Sequence, residues 1–374
     1  MTKKLLLTLL LITTISFSQS ISLSENTKVS ILTCGTGPES YAMYGHTGIR
    51  IQDIDKQIDV VYNYGAFDFN TPNFIGKFVK GDLQYFVTNG NFEHFYYNYQ
   101  EENREIIEQE LNLSSTQINQ LFQQLNAAVY SEDRYYTYKF IDRNCTTMVV
   151  DKINSILGSE IIKSNATHQS YREILYPYMS NFYMKLGIQL IFGAKVDEPA
   201  KRLFLPYEFK NAISIAKVNG ETLEKSNKTV FEAIKTNLPF NWINSIYSLI
   251  GVIAFLVLLN KKWIKITYFI IAGLLGVFFS LVGLYSLHEE ILWNYNILLF
   301  NPLLLIFVWY YCKNITSKIV FLGKIIIVLL LVYLVFMTTK IHLEIVWPFI
   351  ALHLYWIGKI VIQNKKIQQK ISTL

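Results

Sequence analysis

Apolar residues follow three different patterns along this chain. Leu5–Ile15 is a short apolar run, preceded by Lys3 and Lys4 and followed by Ser16-Phe17-Ser18. That order predicts a secretory signal peptide over residues 1–18, cut before Gln19. Between residues 19 and 240, apolar and polar positions alternate at the periods of folded strands and helices. From Trp242 onward five apolar segments follow, at 242–260, 266–287, 296–312, 320–337 and 345–362. Each is near the length needed to cross a bilayer core.

The middle pattern predicts mixed secondary structure. Lys28–Thr33 reads as a first strand, followed by the turn Gly35-Thr36-Gly37-Pro38. His46 opens a second strand, Asp53–Lys56 is a turn, and Asp59–Tyr64 returns as the other arm of a hairpin. The stretch from Tyr62 to Phe74 is dense in aromatic and turn residues at once, a composition that lines an apolar groove or packs over a core edge. Asp82–Val87 predicts a further strand and Tyr99–Leu111 a helix. A capping box at Ser114–Gln117 opens another helix, with Ile118, Leu121, Phe122 and Leu125 on one face. The Tyr-rich strand at 135–138 leads through a polar turn into a helix that begins at Cys145, with Val149, Ile153 and Ile156 on its apolar face. Ser170–Phe240 reads as irregular or helical packing. These elements predict an α+β domain over 19–170, an extension over 171–240, an all-α membrane domain of about five helices over 241–363, and a tail over 364–374.

Charge sets the orientation. The net charge of +6 conceals +8 on residues 241–374 and −4 on residues 19–240. Lys261, Lys262 and Lys265 follow the first apolar segment, Lys313 and Lys318 the third, and Lys365, Lys366 and Lys370 the fifth. The alternate loops carry Lys340 with Glu289, Glu290 and Glu344. An excess of lysine on one side predicts a cytoplasmic C-terminus and an exported N-terminal region. The expected location is therefore the cytoplasmic membrane, with the α+β domain facing the periplasm. The acidic balance of that domain gives no sign of nucleic-acid binding.

Among the chain's three cysteines, Cys145 has the setting of a nucleophile. Asn144 is a good N-cap, which places Cys145 in the first turn of a helix, where the helix dipole favours thiolate and free N–H groups can hold an oxyanion. Cys34 could pair with it in a disulfide, although a domain of this size does not need one bridge to fold. His46, His94 and His168 are the histidines outside the apolar region, and His46, on a strand after Gly45, is the best-placed base. Candidates to orient the imidazole or serve an oxyanion are Asn63, Asp68, Glu39 and Asn144. No metal site and no cofactor are expected. His288-Glu289-Glu290 resembles the start of a zinc motif but lacks the paired histidine, since position 292 is Leu.

These residues, taken in order, resemble a known family. Gly45-His46-Thr47-Gly48-Ile49-Arg50, the run from Tyr62-Asn63-Tyr64-Gly65 through Phe67-Asp68-Phe69 to Pro72-Asn73-Phe74, and the run from Tyr136 to Asn144-Cys145-Thr146-Thr147 are similar to the N-terminal periplasmic domain of the lipoprotein N-acyltransferase (Lnb) family. The resemblance implies a circularly permuted papain-like fold of NlpC/P60 type. It also implies transfer of an acyl chain from a phospholipid to the α-amino group of a lipoprotein's N-terminal cysteine. Cys145 then matches the nucleophile and His46 the base. Where the family commonly has Asp before Asn-Cys and Arg after the following Thr, this chain has Arg143 and Met148. Tyr64, Phe67, Phe69, Tyr138, Arg143, His288 and Trp293 are the expected substrate contacts. The expected partners are a phospholipid donor, a diacylglyceryl lipoprotein acceptor and the membrane. The competing expectation is a membrane-anchored cysteine hydrolase of the same fold, cleaving peptidoglycan peptides or lipid amides.

Overall fold

The computed structural model of the chain describes residues 22–164, 168–234 and 239–372. The expected signal peptide lies outside the described residues. The N-terminal part is built on an antiparallel sheet of β1 (Lys28–Cys34), β2 (His46–Asp53), β3 (Ile58–Ala66), β4 (Gln84–Asn91), β5 (Ile106–Leu111), β6 (Tyr135–Thr137) and β7 (Glu224–Phe231). The spatial order is β6-β4-β3-β2-β1-β5-β7. The predicted hairpin is present, with Gly48 opposite Asn63 in its register. The helices between β3 and residue 160 are α1 (Phe74–Lys80), α2 (Phe92–Glu101), α3 (Ser115–Tyr130) and α4 (Cys145–Leu157). The predicted Ser114–Gln117 capping box opens α3. Val149 and Ile153 of α4 are fully buried with Leu121 and Leu125 of α3 in the main core, each contributing about 1.5–3 kcal/mol.

One element differs from its sequence pattern. The helix expected over Tyr99–Leu111 ends at Glu101, and residues 106–111 form β5 beside β1. Asn103 takes a left-handed conformation (φ 51°), which breaks the helix. On β5, Glu108 is buried against Arg50, which also grips Asp59 at 2.7 Å. The sheet also extends past residue 170, because β7 pairs with β5.

Beyond α4 come α5 (Tyr171–Leu175), α6 (Phe182–Ile191) and α7 (Pro206–Ile215), and then the apolar helices α8 (Ile246–Leu259), α9 (Lys262–Tyr285), α10 (Leu303–Cys312), α11 (Thr316–Met337) and α12 (Leu343–Ser372). Among the described residues, four segments are long and apolar enough to cross a membrane: Lys262–Tyr285, Glu289–Cys312, Thr316–Met337 and Leu343–Ile371. This corrects the expected five. The segment predicted at 242–260 folds as the 14-residue α8, about 21 Å long and short of a bilayer core. The third segment is broken at Asn301-Pro302, with its residues before that point in 3₁₀ turns.

The two parts meet at one end of the helical bundle. α6 contributes Leu186 and Leu190 to the bundle's core. Arg172, fully buried on α5, binds Asp197 and Gln189, and Tyr295 of the bundle donates to the same Asp197 at 2.7 Å. Lys340 approaches Asp197 at 3.4 Å. The loops after α9 and α11, the two expected to lie outside, therefore hold the sheet domain. At the other end, Lys265 and Lys359 both donate to Asn260, and Lys262 to Asn314.

Candidate active site

Asn144 builds the start of α4. Its Oδ1 accepts from the N–H groups of Thr146 and Thr147, and its Nδ2 donates to the carbonyls of Phe140 and Phe204. Its carbonyl accepts from Met148. Of the first four N–H groups of the helix, the one on Cys145 itself is the one Asn144 leaves free, aimed where a helix start binds anions. The expectation that the Asn144 side chain serves an oxyanion is thereby corrected: its hydrogen bonds are all committed to the cap.

The end of the β2–β3 hairpin brings His46 and Asn63 to the same point. His46 Nε2 lies 3.1 Å from Asn63 Oδ1. An amide oxygen can only accept, so Nε2 carries the proton and Nδ1 is left to face the thiol. Gly65, across the hairpin, sits between the two reactive groups. A Cβ there would lie 3.4 Å from both Cys145 Cβ and His46 Cε1, and its φ of 134° is one that side chains rarely adopt. Gly45 serves a backbone rather than a substrate: at φ 82°, a Cβ would come within 2.5 Å of the Cys34 carbonyl.

These neighbours set the state of the sulfur. Burial pushes the Cys145 thiol up, but it is outweighed by the charge and hydrogen bond of His46, the Thr47 N–H and the Thr146 hydroxyl, which together hold the thiol below its ordinary value. The Thr146 hydroxyl is 3.9 Å from Sγ and bonds Thr47 Oγ1 at 3.0 Å. Cys34 is the opposite case, since burial pushes its thiol up to about 12. Both cysteines are free, so they are not bridged.

Aromatic rings surround the nucleophile. Tyr85 stacks on Tyr138 at 4.4 Å and lies 6.3 Å from Tyr136. A charge on Cys145 is felt by all three phenols, although burial is the larger influence on each. The hydroxyls of Tyr64 and Tyr136 are buried and find no hydrogen-bond partner among the described residues. From Tyr85 the rings continue outward to Phe67 at 5.1 Å, then to Phe69 and Phe74. Arg143 is exposed with its guanidinium 5.4 Å over Tyr136.

Several expected site residues lie elsewhere. Asp68 is exposed and caps the turn through the Asn70 N–H, and Glu39 is exposed in the turn before Ala42. Asn63, from the adjoining strand, already occupies the imidazole nitrogen that either would orient. His288 is committed to structure, its Nε2 lying 2.8 Å from the Phe78 carbonyl. Trp293 is 87% exposed and contributes no ring contact to the dyad. From the sequence, Thr47, Gly65, Tyr136 and Thr146 stand out only as parts of longer runs, Glu290 as a loop charge and Tyr85 as one position of a strand, none with a role of its own. Thr47 and Thr146 directly follow the two reactive residues, a signal that was available. Glu290 was not findable locally, because it reaches across 149 positions to accept from the Ile141 N–H at 3.0 Å, fixing the turn that precedes Cys145.

Compared with known families, residues 16–176 match the one described as the Lnb N-terminal periplasmic domain. Neither the curated proteins nor the solved structures give a match to this chain.

Proposed function

We propose that the chain, whose residues 16–176 match the Lnb N-terminal periplasmic domain, is a membrane-bound lipoprotein N-acyltransferase of that family, working through a thioester on Cys145. The observation that carries this reading is the Cys145–His46–Asn63 constellation at the junction with an apolar helical bundle. The Cys145 thiolate attacks the carbonyl carbon of a phospholipid ester. The oxyanion is held by the Cys145 N–H and the Tyr136 hydroxyl, a buried donor without another partner among the described residues. The imidazolium of His46 gives its proton to the departing glycerol oxygen, and a lysophospholipid leaves. The α-amine of a lipoprotein's N-terminal cysteine then attacks the thioester, His46 takes the amine proton, and thiolate departs as the amide forms. Asn63 orients the imidazole throughout. The ring row Tyr138–Tyr85–Phe67–Phe69 suits an acyl chain, and Arg143 suits the lipid phosphate.

The test is the mass of a lipoprotein's N-terminal peptide from cells with and without the protein. One additional acyl group, present only with wild-type protein and absent with Cys145→Ala, supports the reading. Free fatty acid in its place, with the peptide mass unchanged, makes water the acceptor and the protein a hydrolase.

A further inference from the structure

α1 has the sequence Phe-Ile-Gly-Lys-Phe-Val-Lys, yet none of its residues is buried. Ile75 is 76% exposed, and Phe78 and Val79 are also exposed. A short helix with so much open apolar surface is stable in water only if something covers it. Its position identifies the cover. The last turn of α1 is tied to the residues that immediately follow the apolar helix α9. Leu287 N–H donates to the Lys80 carbonyl at 2.7 Å, Ser286 Oγ to the Val79 carbonyl at 2.8 Å, and His288 Nε2 meets the Phe78 carbonyl. Gly81 permits that approach, since a Cβ there would lie 3.1 Å from the His288 ring. α1 is thus fixed at the height where a membrane-length helix ends. Leu284, Tyr285 and Leu287 beside it are exposed as well, so its apolar face continues the lipid-facing surface of the bundle. Lys77 and Lys80 occupy its last turn, the arrangement of an interfacial helix against anionic headgroups.

We infer that α1 lies in the extracytoplasmic leaflet, with Ile75, Phe78 and Val79 covered by phospholipid. The inference rests on the bundle being in the membrane and not on the chemistry at Cys145. α1 follows directly from the Phe67–Phe74 ring row, so this placement would set the dyad at the membrane surface. The partner is the lipid surface itself.

The experiment uses the full chain with Cys145→Ala and Cys312→Ser, leaving the buried Cys34 unreactive. Single cysteines are introduced by Ile75→Cys, Phe78→Cys or, as a control, Ile54→Cys, and labelled with bimane. Ile54 is 69% exposed in the turn just past β2, a strand that runs about 23 Å from His46 to Asp53. The labelled proteins are reconstituted into vesicles of phosphatidylethanolamine and phosphatidylglycerol, with and without bromine on the acyl chains. Emission from positions 75 and 78 should fall about twofold or more in brominated vesicles, while position 54 is unaffected and is the one quenched by aqueous iodide. Positions 75 and 78 behaving like 54 would overturn the inference. Because the readout needs no catalysis, it stands apart from any failure of the acyl-transfer reading.

Discussion

Replacing Asn63 by Ala removes the 3.1 Å contact that holds His46 Nε2. The imidazolium formed with the Cys145 thiolate then loses a charge-assisted hydrogen bond, worth about 1.5–3 kcal/mol. At 1.36 kcal/mol per decade, the first half-reaction should slow roughly 10- to 150-fold. The pair also becomes harder to ionise, so the pH at which Cys145 gains reactivity should rise toward that of an ordinary thiol. Asn63→Asp supplies an acceptor of the same shape and should recover most of the rate. The assay is the rate of acyl loading on Cys145 from phospholipid, followed by intact mass across a range of pH. Folding is checked by thermal unfolding, which should change little because Asn63 is only half-buried. An Asn63→Ala rate within about twofold of wild type, with no movement of the pH profile, would refute its role as the orienter.

Tyr136→Phe should cost about 10²–10³ in kcat through loss of an oxyanion donor, while thermal stability holds or rises because the buried hydroxyl has no partner to lose. Steady-state acyl transfer and a melting curve check both signs. In native protein, alkylation of Cys145 should rise with pH through a midpoint below the usual thiol value of about 8.5. Cys34, pushed up to about 12 by burial, should stay unlabelled until denaturant is added, as peptide mapping would show. Arg172→Ala leaves Asp197 only Tyr295 and Lys340 as partners and removes the donor to Gln189, so it should destabilise the protein by about 1–3 kcal/mol, measured by denaturant unfolding in detergent.

The local parts of this molecule were legible because they depend on residues close in sequence. The Asn144 cap, the Ser114–Gln117 box and the His46 hairpin each need only a few neighbouring side chains. β5 was misread because its partners are distant in sequence: it pairs with β1, Glu108 meets Arg50 and Glu110 meets Lys225, and no local period reveals them. Asn63 was one of four candidates to orient His46, and strand register decided among them: Gly48 opposite Asn63 places that carboxamide diagonally beside the imidazole. The roles of His288 and Glu290 depend on how the bundle's outer loop meets the sheet domain, a contact between segments 140 or more residues apart. The length of α8 was overestimated at its start, because Trp242 and Ile243 extend the apolar run although the helix begins only at Ile246.

Passage of the acyl group through sulfur on Cys145 has a direct signature in the mass of the protein. Wild-type protein given phospholipid but no lipoprotein should gain the mass of one acyl chain, mapped to the Cys145 peptide and released by hydroxylamine at neutral pH. Adding an acceptor lipoprotein should discharge it, and Cys145→Ala should neither load nor transfer. Lipoprotein N-acylation by the Cys145→Ala protein would contradict the account.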